Sequence, residues 1–169
     1  MSAATGQFKV NIVGDIMLDR LINKKIFEGR WPTKYTYPYG NTLDVLKDCD
    51  FFIGNLETSI TKHSVKWPKT FNFRMFPEHI QAILNLVPYS SSILSHDSTL
   101  NHVQLPYTSR ANPLYLSLAN NHVLDYNYQG YKDTVESLNA NEINYAGVGE
   151  DQNEAMRPCI INFQDREGK

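Results

Sequence analysis

Three short apolar runs, each closed by glycine or small polar residues, constrain this chain more than any other feature. Phe8-Lys9-Val10-Asn11-Ile12-Val13 leads into Gly14-Asp15, and Asp50-Phe51-Phe52-Ile53 leads into Gly54-Asn55. Leu114-Tyr115-Leu116-Ser117-Leu118-Ala119 leads into Asn120-Asn121-His122. Runs this short and apolar suit strands covered on both faces, as in parallel sheets. Residues 143–146 and 159–163 read as further strands.

Helical patterns lie between the runs. Asn41 is placed to cap a helix over 42–48, and Pro77 to open one over 77–84 with Ile80, Ile83 and Leu84 on one face. Residues 129–139 set Tyr131, Thr134, Val135 and Leu138 at helical spacing. Strands alternating with helices imply an α/β layered domain joined by crossovers. Two stretches break the alternation: a loop rich in Pro and Tyr over 30–39, and residues 86–113, with three prolines and little periodicity. The second reads as a surface excursion, a lid or an insertion, because a structureless loop of that length is unusual inside a domain.

In a parallel sheet the carboxyl ends of the strands share one edge, and ligands bind in the crevice there. Asp15, then Asn55 and Glu57, then Asn120, Asn121 and His122 are thereby expected to converge. Carboxylates, an amide oxygen and an imidazole form a hard-to-borderline donor set suited to Mn, Fe, Zn or Mg. Glu57 could bridge two ions, and His122 could act as general acid toward a leaving oxygen. Each residue also has a plainer reading. Asp15 could cap a turn over 16–21, Glu57 could face water or form an ion pair, the two asparagines could make a turn, and His122 could be structural.

Other candidates are weaker. Asp19-Arg20 reads as a surface ion pair, with Asp19 close enough to Asp15 to support it. The basic run Lys62, Lys66, Lys69 and Arg74 either steers an anion or forms a solvated rim. His63, His79, His96 and His102 lack ligand spacing and read as loop or helix-surface residues. Tyr126, Tyr128 and Tyr131 either line a groove or pack in the core, and Gly147-Val148-Gly149 reads as a turn. Cys49 and Cys159 share no motif, so neither a disulfide scaffold nor a zinc knuckle is implied. The net charge is −2, with residues 1–74 holding 11 basic and 7 acidic side chains and residues 75–169 holding 5 and 11. Nucleic acid is not an expected partner on that balance, whereas an anionic ligand near the first half is compatible with it. No apolar run approaches the ~20 residues that cross a bilayer. The start lacks the pattern of a secretory signal, so the chain reads as soluble and cytoplasmic unless an export segment lies outside it.

The motifs, taken in order, resemble the bacterial capsule synthesis protein CapA family, associated with poly-γ-glutamate biosynthesis. The resemblance rests on residues 13–20 (VGDIMLDR), 54–58 (GNLET) and 117–126 (SLANNHVLDY). Supporting pieces are Phe71-Asn72-Phe73-Arg74, Gly130 with Thr134 and Leu138, and residues 145–150 (YAGVGE). It covers most of residues 8–150 and implies a calcineurin-like metallophosphoesterase fold, an α/β domain of layered sheets flanked by helices. By that analogy Asp15, Glu57 and Asn121 would be metal ligands and His122 the general acid. Asp19, Asn55, Asn120, Asp125 and Arg74 would be supporting or substrate-contacting groups. The resemblance also implies a divalent metal, two ions in a full domain, and an anionic polymer or phosphoester substrate. A place in an envelope or polymer-synthesis complex goes with it.

Two departures accompany the resemblance: the segment 86–113 looks inserted, and the later His-containing motifs of the family have no counterpart here. The expectation is therefore a domain over 8–169 that is the N-terminal part of the fold. Three functions are open on these residues. One is a metal-dependent hydrolase of capsule or polyglutamate synthesis, and another a non-catalytic accessory or polymer-binding module. The third is a nucleotide-binding α/β domain, against which the missing glycine-rich loop argues.

Overall fold

The computed structural model describes residues 8–29, 37–87 and 113–161. Its centre is a four-stranded, all-parallel sheet of strands β1 (Val10–Ile16), β2 (Phe51–Leu56), β5 (Leu114–Ser117) and β6 (Asn144–Ala146), in the order β1-β2-β5-β6. The three apolar runs are thus neighbouring strands, but the expectation of cover on both faces holds for β2 and fails for β1, which ends the described order and leaves Val10 and Ile12 exposed. Short strands β3 (Ser59–Ile60) and β4 (Arg74–Met75) form a separate parallel pair.

Helices α1 (Arg20–Phe27) and α2 (Leu43–Lys47) connect β1 to β2, α3 (Gln81–Leu84) precedes β5, and α4 (Asn127–Ala140) crosses from β5 to β6. Helix α4 carries the predicted stripe: Tyr131, Thr134 and Leu138 are buried. The Thr134 hydroxyl accepts from the Ile60 amide at 2.8 Å, tying α4 to β3. Phe52, Leu114 and Leu116 on the sheet join Ile60, Met75, Ile83 and Leu138 in one buried core. At about 25 cal/mol per Å² of apolar surface removed from water, this burial is the main force closing the layers.

One irregularity decides the geometry of the strand ends. Ile12 pairs with Ile53 and Asp15 with Asn55, so three residues of β1 advance against two of β2. Such a bulge reverses which face the following side chains occupy. It sets Asp15 in the same transverse row as Asn55 and Ser117.

Several sequence expectations change here. Asp15 is a strand residue, and the helix after it begins at Arg20 with Asp19 in the capping position, so the turn-cap reading of Asp15 fails. Thr42, and not Asn41, precedes α2, because residues 37–42 form a 3₁₀ turn. The expected helix over 77–84 is a 3₁₀ turn at Pro77–His79 followed by α3. Residues 159–161 are not a strand, and 162–163 lie outside the described residues. A short helix α5 (Gln152–Ala155) is capped by the Asp151 carboxylate, which accepts from the Glu154 amide. The Asp-x-x-Glu spacing was the available signal for it.

Of the stretch 86–113, residues 88–112 lie outside the described residues, as do His96 and His102. Its two ends belong to the fold: Leu86 and Val87 are buried, and the Pro113 carbonyl accepts from the Phe52 amide at 2.8 Å. Among the described residues no helix is long and apolar enough to cross a membrane.

Candidate functional site

The strand ends bring together most of the residues singled out in the sequence. Asn55, at the end of β2, donates from Nδ2 to Asp15 Oδ1 at 2.8 Å and to Glu57 Oε2 at 3.2 Å. One amide thus bridges two carboxylates from adjacent strand ends. Asn120 closes the next gap, its Nδ2 donating to Asn55 Oδ1 at 3.0 Å and to the Leu56 carbonyl at 2.9 Å. Its own Oδ1 accepts from the His122 amide at 2.9 Å, which turns the chain so that the imidazole faces the carboxylates.

Charge and hydrogen bonding split the two acids. The Asn55 amide, and then the Glu57 carboxyl beside it, hold Asp15 below the usual carboxylate range. The Asp15 carboxyl, followed by partial burial, pushes Glu57 above that range.

His122 is fixed from three sides. Its Nδ1 lies 2.7 Å from Oδ2 of Asp125, a carboxylate with no solvent exposure, so Nδ1 carries the proton of that bond. Asp125 Oδ2 also accepts from the Phe73 amide at 2.5 Å, and Asp125 Oδ1 pairs with the Lys69 ammonium. Lys69 donates as well to the Asn121 carbonyl at 2.7 Å. The Phe73 ring stacks on the imidazole at 4.2 Å between centroids. The remaining ring nitrogen, Nε2, lies 3.5 Å from Glu57 Oε1. A histidine held at Nδ1 by a buried acid, with Nε2 turned to a carboxylate cluster, is oriented for proton transfer at that second nitrogen.

Asn121 is exposed, between Asn120 and His122 on the loop after β5. Asp19 sits at the start of α1. The Arg74 guanidinium donates to the His63 carbonyl at 2.8 Å and lies over the rings of Phe76 and Tyr126, each 5.0 Å away. Of the basic run, Lys62 pairs with Glu78 at 3.3 Å and Lys69 with Asp125, so only part of it is a free rim. His79 corrects its surface reading: it is buried, with Nδ1 2.7 Å from Asn23 Oδ1. Tyr126 and Tyr131 are buried, whereas Tyr128 is exposed and bonded to Glu150.

The ion pair read from Asp19-Arg20 does not form. Arg20 instead lays its guanidinium over the rings of Phe71 and Phe73, at 5.3 and 5.1 Å from their centroids. The Phe-x-Phe spacing was the signal that two rings could present one face, but only the fold brings α1 beside them.

As a cation site the cluster is a carboxylate pair, flanked by amides, on which hard divalent ions bind well. Among the described residues no group of three His, Cys, Asp or Glu side chains closes into a metal cage. What the described residues offer a cation is the neighbouring carboxylates of Asp15 and Glu57.

Comparison with known proteins agrees with the motif reading. The family described as bacterial capsule synthesis protein matches residues 9–92 and 95–168 of this chain. A "probable polyglutamine synthesis accessory protein" of Mycobacterium tuberculosis strain H37Rv is 32% identical over 133 residues, covering 77% of this chain. The protein of the same description in strain CDC 1551 matches to the same extent. The "capsule biosynthesis protein CapA" of Bacillus anthracis is 27% identical over 141 residues, covering 83% of this chain. The matched region is 28% of the length of each of these curated relatives.

Proposed function

The chain belongs to the bacterial capsule synthesis protein family, and from that premise we propose that it serves in the synthesis of a capsule or polyglutamate-type polymer. In this reading the strand-end cluster is the working centre, and the whole protein acts on, or alongside the making of, an anionic polymer or a phosphoester linked to it. The observation that carries it is the clamp on His122, with Nδ1 on buried Asp125 and Nε2 facing Glu57.

Asp15 and Glu57, with Asn121 at the next loop, would hold a divalent ion such as Mn, Fe, Zn or Mg. Such an ion supplies charge neutralisation at a reacting oxygen and a more acidic bound water. The residues of the chain account for the rest. Asp125 keeps the imidazole in one orientation, so that Nε2 is placed to hand a proton to a leaving oxygen. Asn55 holds the two acids at a fixed separation, and Asn120 locks the loop that carries His122. Phe73 covers one face of the imidazole and narrows the access of water to it.

A second reading is an accessory module that binds polymer without turning it over. The absence of a three-ligand metal group among the described residues favours it. Calorimetric Mn²⁺ titration separates the two when paired with phosphodiester turnover. Stoichiometric binding lost on Glu57→Ala, and turnover lost on His122→Ala, support a hydrolase. Salt-sensitive binding of poly-γ-glutamate with neither metal uptake nor turnover supports the accessory role.

A further inference from the structure

We propose that Arg20 is an anion-recognition residue for this site, receiving a carboxylate or phosphate on the part of the ligand next to the group that faces His122. The inference rests on the reading of the strand-end cluster as the working centre, and on three observations about Arg20 itself.

First, the cation is not neutralised. Asp19 adjoins it in sequence, yet among the described residues Arg20 makes no ion pair; its contacts are the Phe71 and Phe73 rings. A guanidinium stacked on aromatic faces keeps its in-plane N–H donors available, and their fork matches a carboxylate or phosphate. Second, its position is connected to the centre. Phe73 both stacks on His122 and lies under Arg20, so one ring links the cation to the imidazole.

Third, the platform is anchored. The Phe73 amide donates to Asp125 Oδ2, and the Trp67 amide and Asn72 Nδ2 donate to the Asp125 carbonyl at 2.8 and 3.2 Å. The residue that orients His122 therefore also holds the loop beneath Arg20. The backbone at Arg20 is left-handed, with φ +54°, which L side chains adopt only at a cost. That φ makes Arg20→Gly a substitution that relieves strain while it removes the side chain.

Lysines on the same loop do not replace it. Lys69 is spent on Asp125, and Lys66 is an exposed single charge without a stacking partner among the described residues.

The test is calorimetric binding of two probes, tripolyphosphate and a γ-linked glutamate pentamer, to the full chain at low ionic strength. Arg20→Ala is expected to weaken binding of at least one probe tenfold or more, and Arg20→Lys by several-fold. Phe71→Leu keeps the charge and removes a ring, and should also weaken binding several-fold. Lys66→Ala removes the same formal charge and should change it less than twofold. The probe that responds to Arg20 distinguishes phosphate from carboxylate recognition. Arg20→Gly should melt no lower than the unsubstituted protein while losing the anion, which separates use of the side chain from a structural role.

Arg20→Ala within twofold of the unsubstituted protein would overturn the proposal, as would binding of neither probe, or equal losses in Arg20→Ala and Lys66→Ala. Mn²⁺ uptake with no Arg20 effect counts against this inference alone. An Arg20 effect without Mn²⁺ uptake counts against the metal reading alone.

Discussion

His122 and Asp125 stand three residues apart on one tight turn, and Nδ1 of the histidine lies 2.7 Å from a carboxylate with no exposed surface. The turn itself is closed by the Asp125 amide donating to the His122 carbonyl at 3.2 Å. A buried carboxylate persists only when it is paired and hydrogen-bonded, and Asp125 meets that demand with His122, Lys69 and the Phe73 amide together. Orientation of the imidazole and placement of the loop over 62–73 are thus one interaction.

Asp125→Ala removes the shared partner of all three groups. Leaving buried polar partners uncompensated costs about 3–5 kcal/mol. We expect a loss of that size in urea unfolding, together with loss of His122-dependent turnover if the chain is catalytic. Lys69→Met should cost less, because Lys69 is partly exposed and Asp125 retains two partners. Equal costs for the two variants would show that the three-way clamp is misassigned.

Gly147 is required by contact as well as conformation. Its φ is +92°, and a Cβ built there would lie 2.8 Å from the Ala119 backbone nitrogen. Gly147→Ala should destabilise by about 1–3 kcal/mol. Because Ala119 adjoins Asn120, the variant should also weaken Mn²⁺ binding if the strand-end cluster takes a metal. An unchanged urea midpoint would refute the expectation.

Glu142 carries the opposite sign. It follows α4 with φ +54°, while the Ile143 amide returns to the Leu138 carbonyl at 3.0 Å, a helix ending that favours glycine. Glu142→Gly is expected to stabilise the fold by about 0.5–1 kcal/mol, since relief of the left-handed strain outweighs the added chain entropy. Thermal unfolding of the two proteins side by side measures it.

The two thiols should differ in reactivity. Cys49 is buried, and that burial pushes its thiol above the ordinary range, whereas Cys159 is partly exposed. Alkylation at mildly alkaline pH should label Cys159 first, with Cys49 reacting only as the fold opens. The linkage has a definite sign. A thiol raised in the folded state contributes stability that is full below its unfolded pKa and is lost as pH rises through the folded value. Stability should therefore decline on the alkaline side, and Cys49→Ala should flatten that decline even if it lowers stability at neutral pH.

Local information carried much of this architecture. The strands around Val10, Phe52 and Leu116 were legible because a run of apolar residues ending in Gly or Asn has few other uses in a folded chain. Helix α4 was legible because its apolar residues recur at helical spacing, and the convergence of Asp15, Asn55, Glu57 and Asn120 follows from parallel strands ending on one edge. The tertiary structure decided what depends on register and on neighbours distant in sequence. The extra residue in β1 near Gly14 sets the row that Asp15 occupies, and no composition signals a one-residue slip. Arg20 leaves Asp19 for two rings some fifty positions away, because only packing brings α1 over that loop. Lys69 and Phe73 become the supports of His122 for the same reason. Periodicity encodes which face a residue buries, whereas the partner it meets there is set by how the layers close.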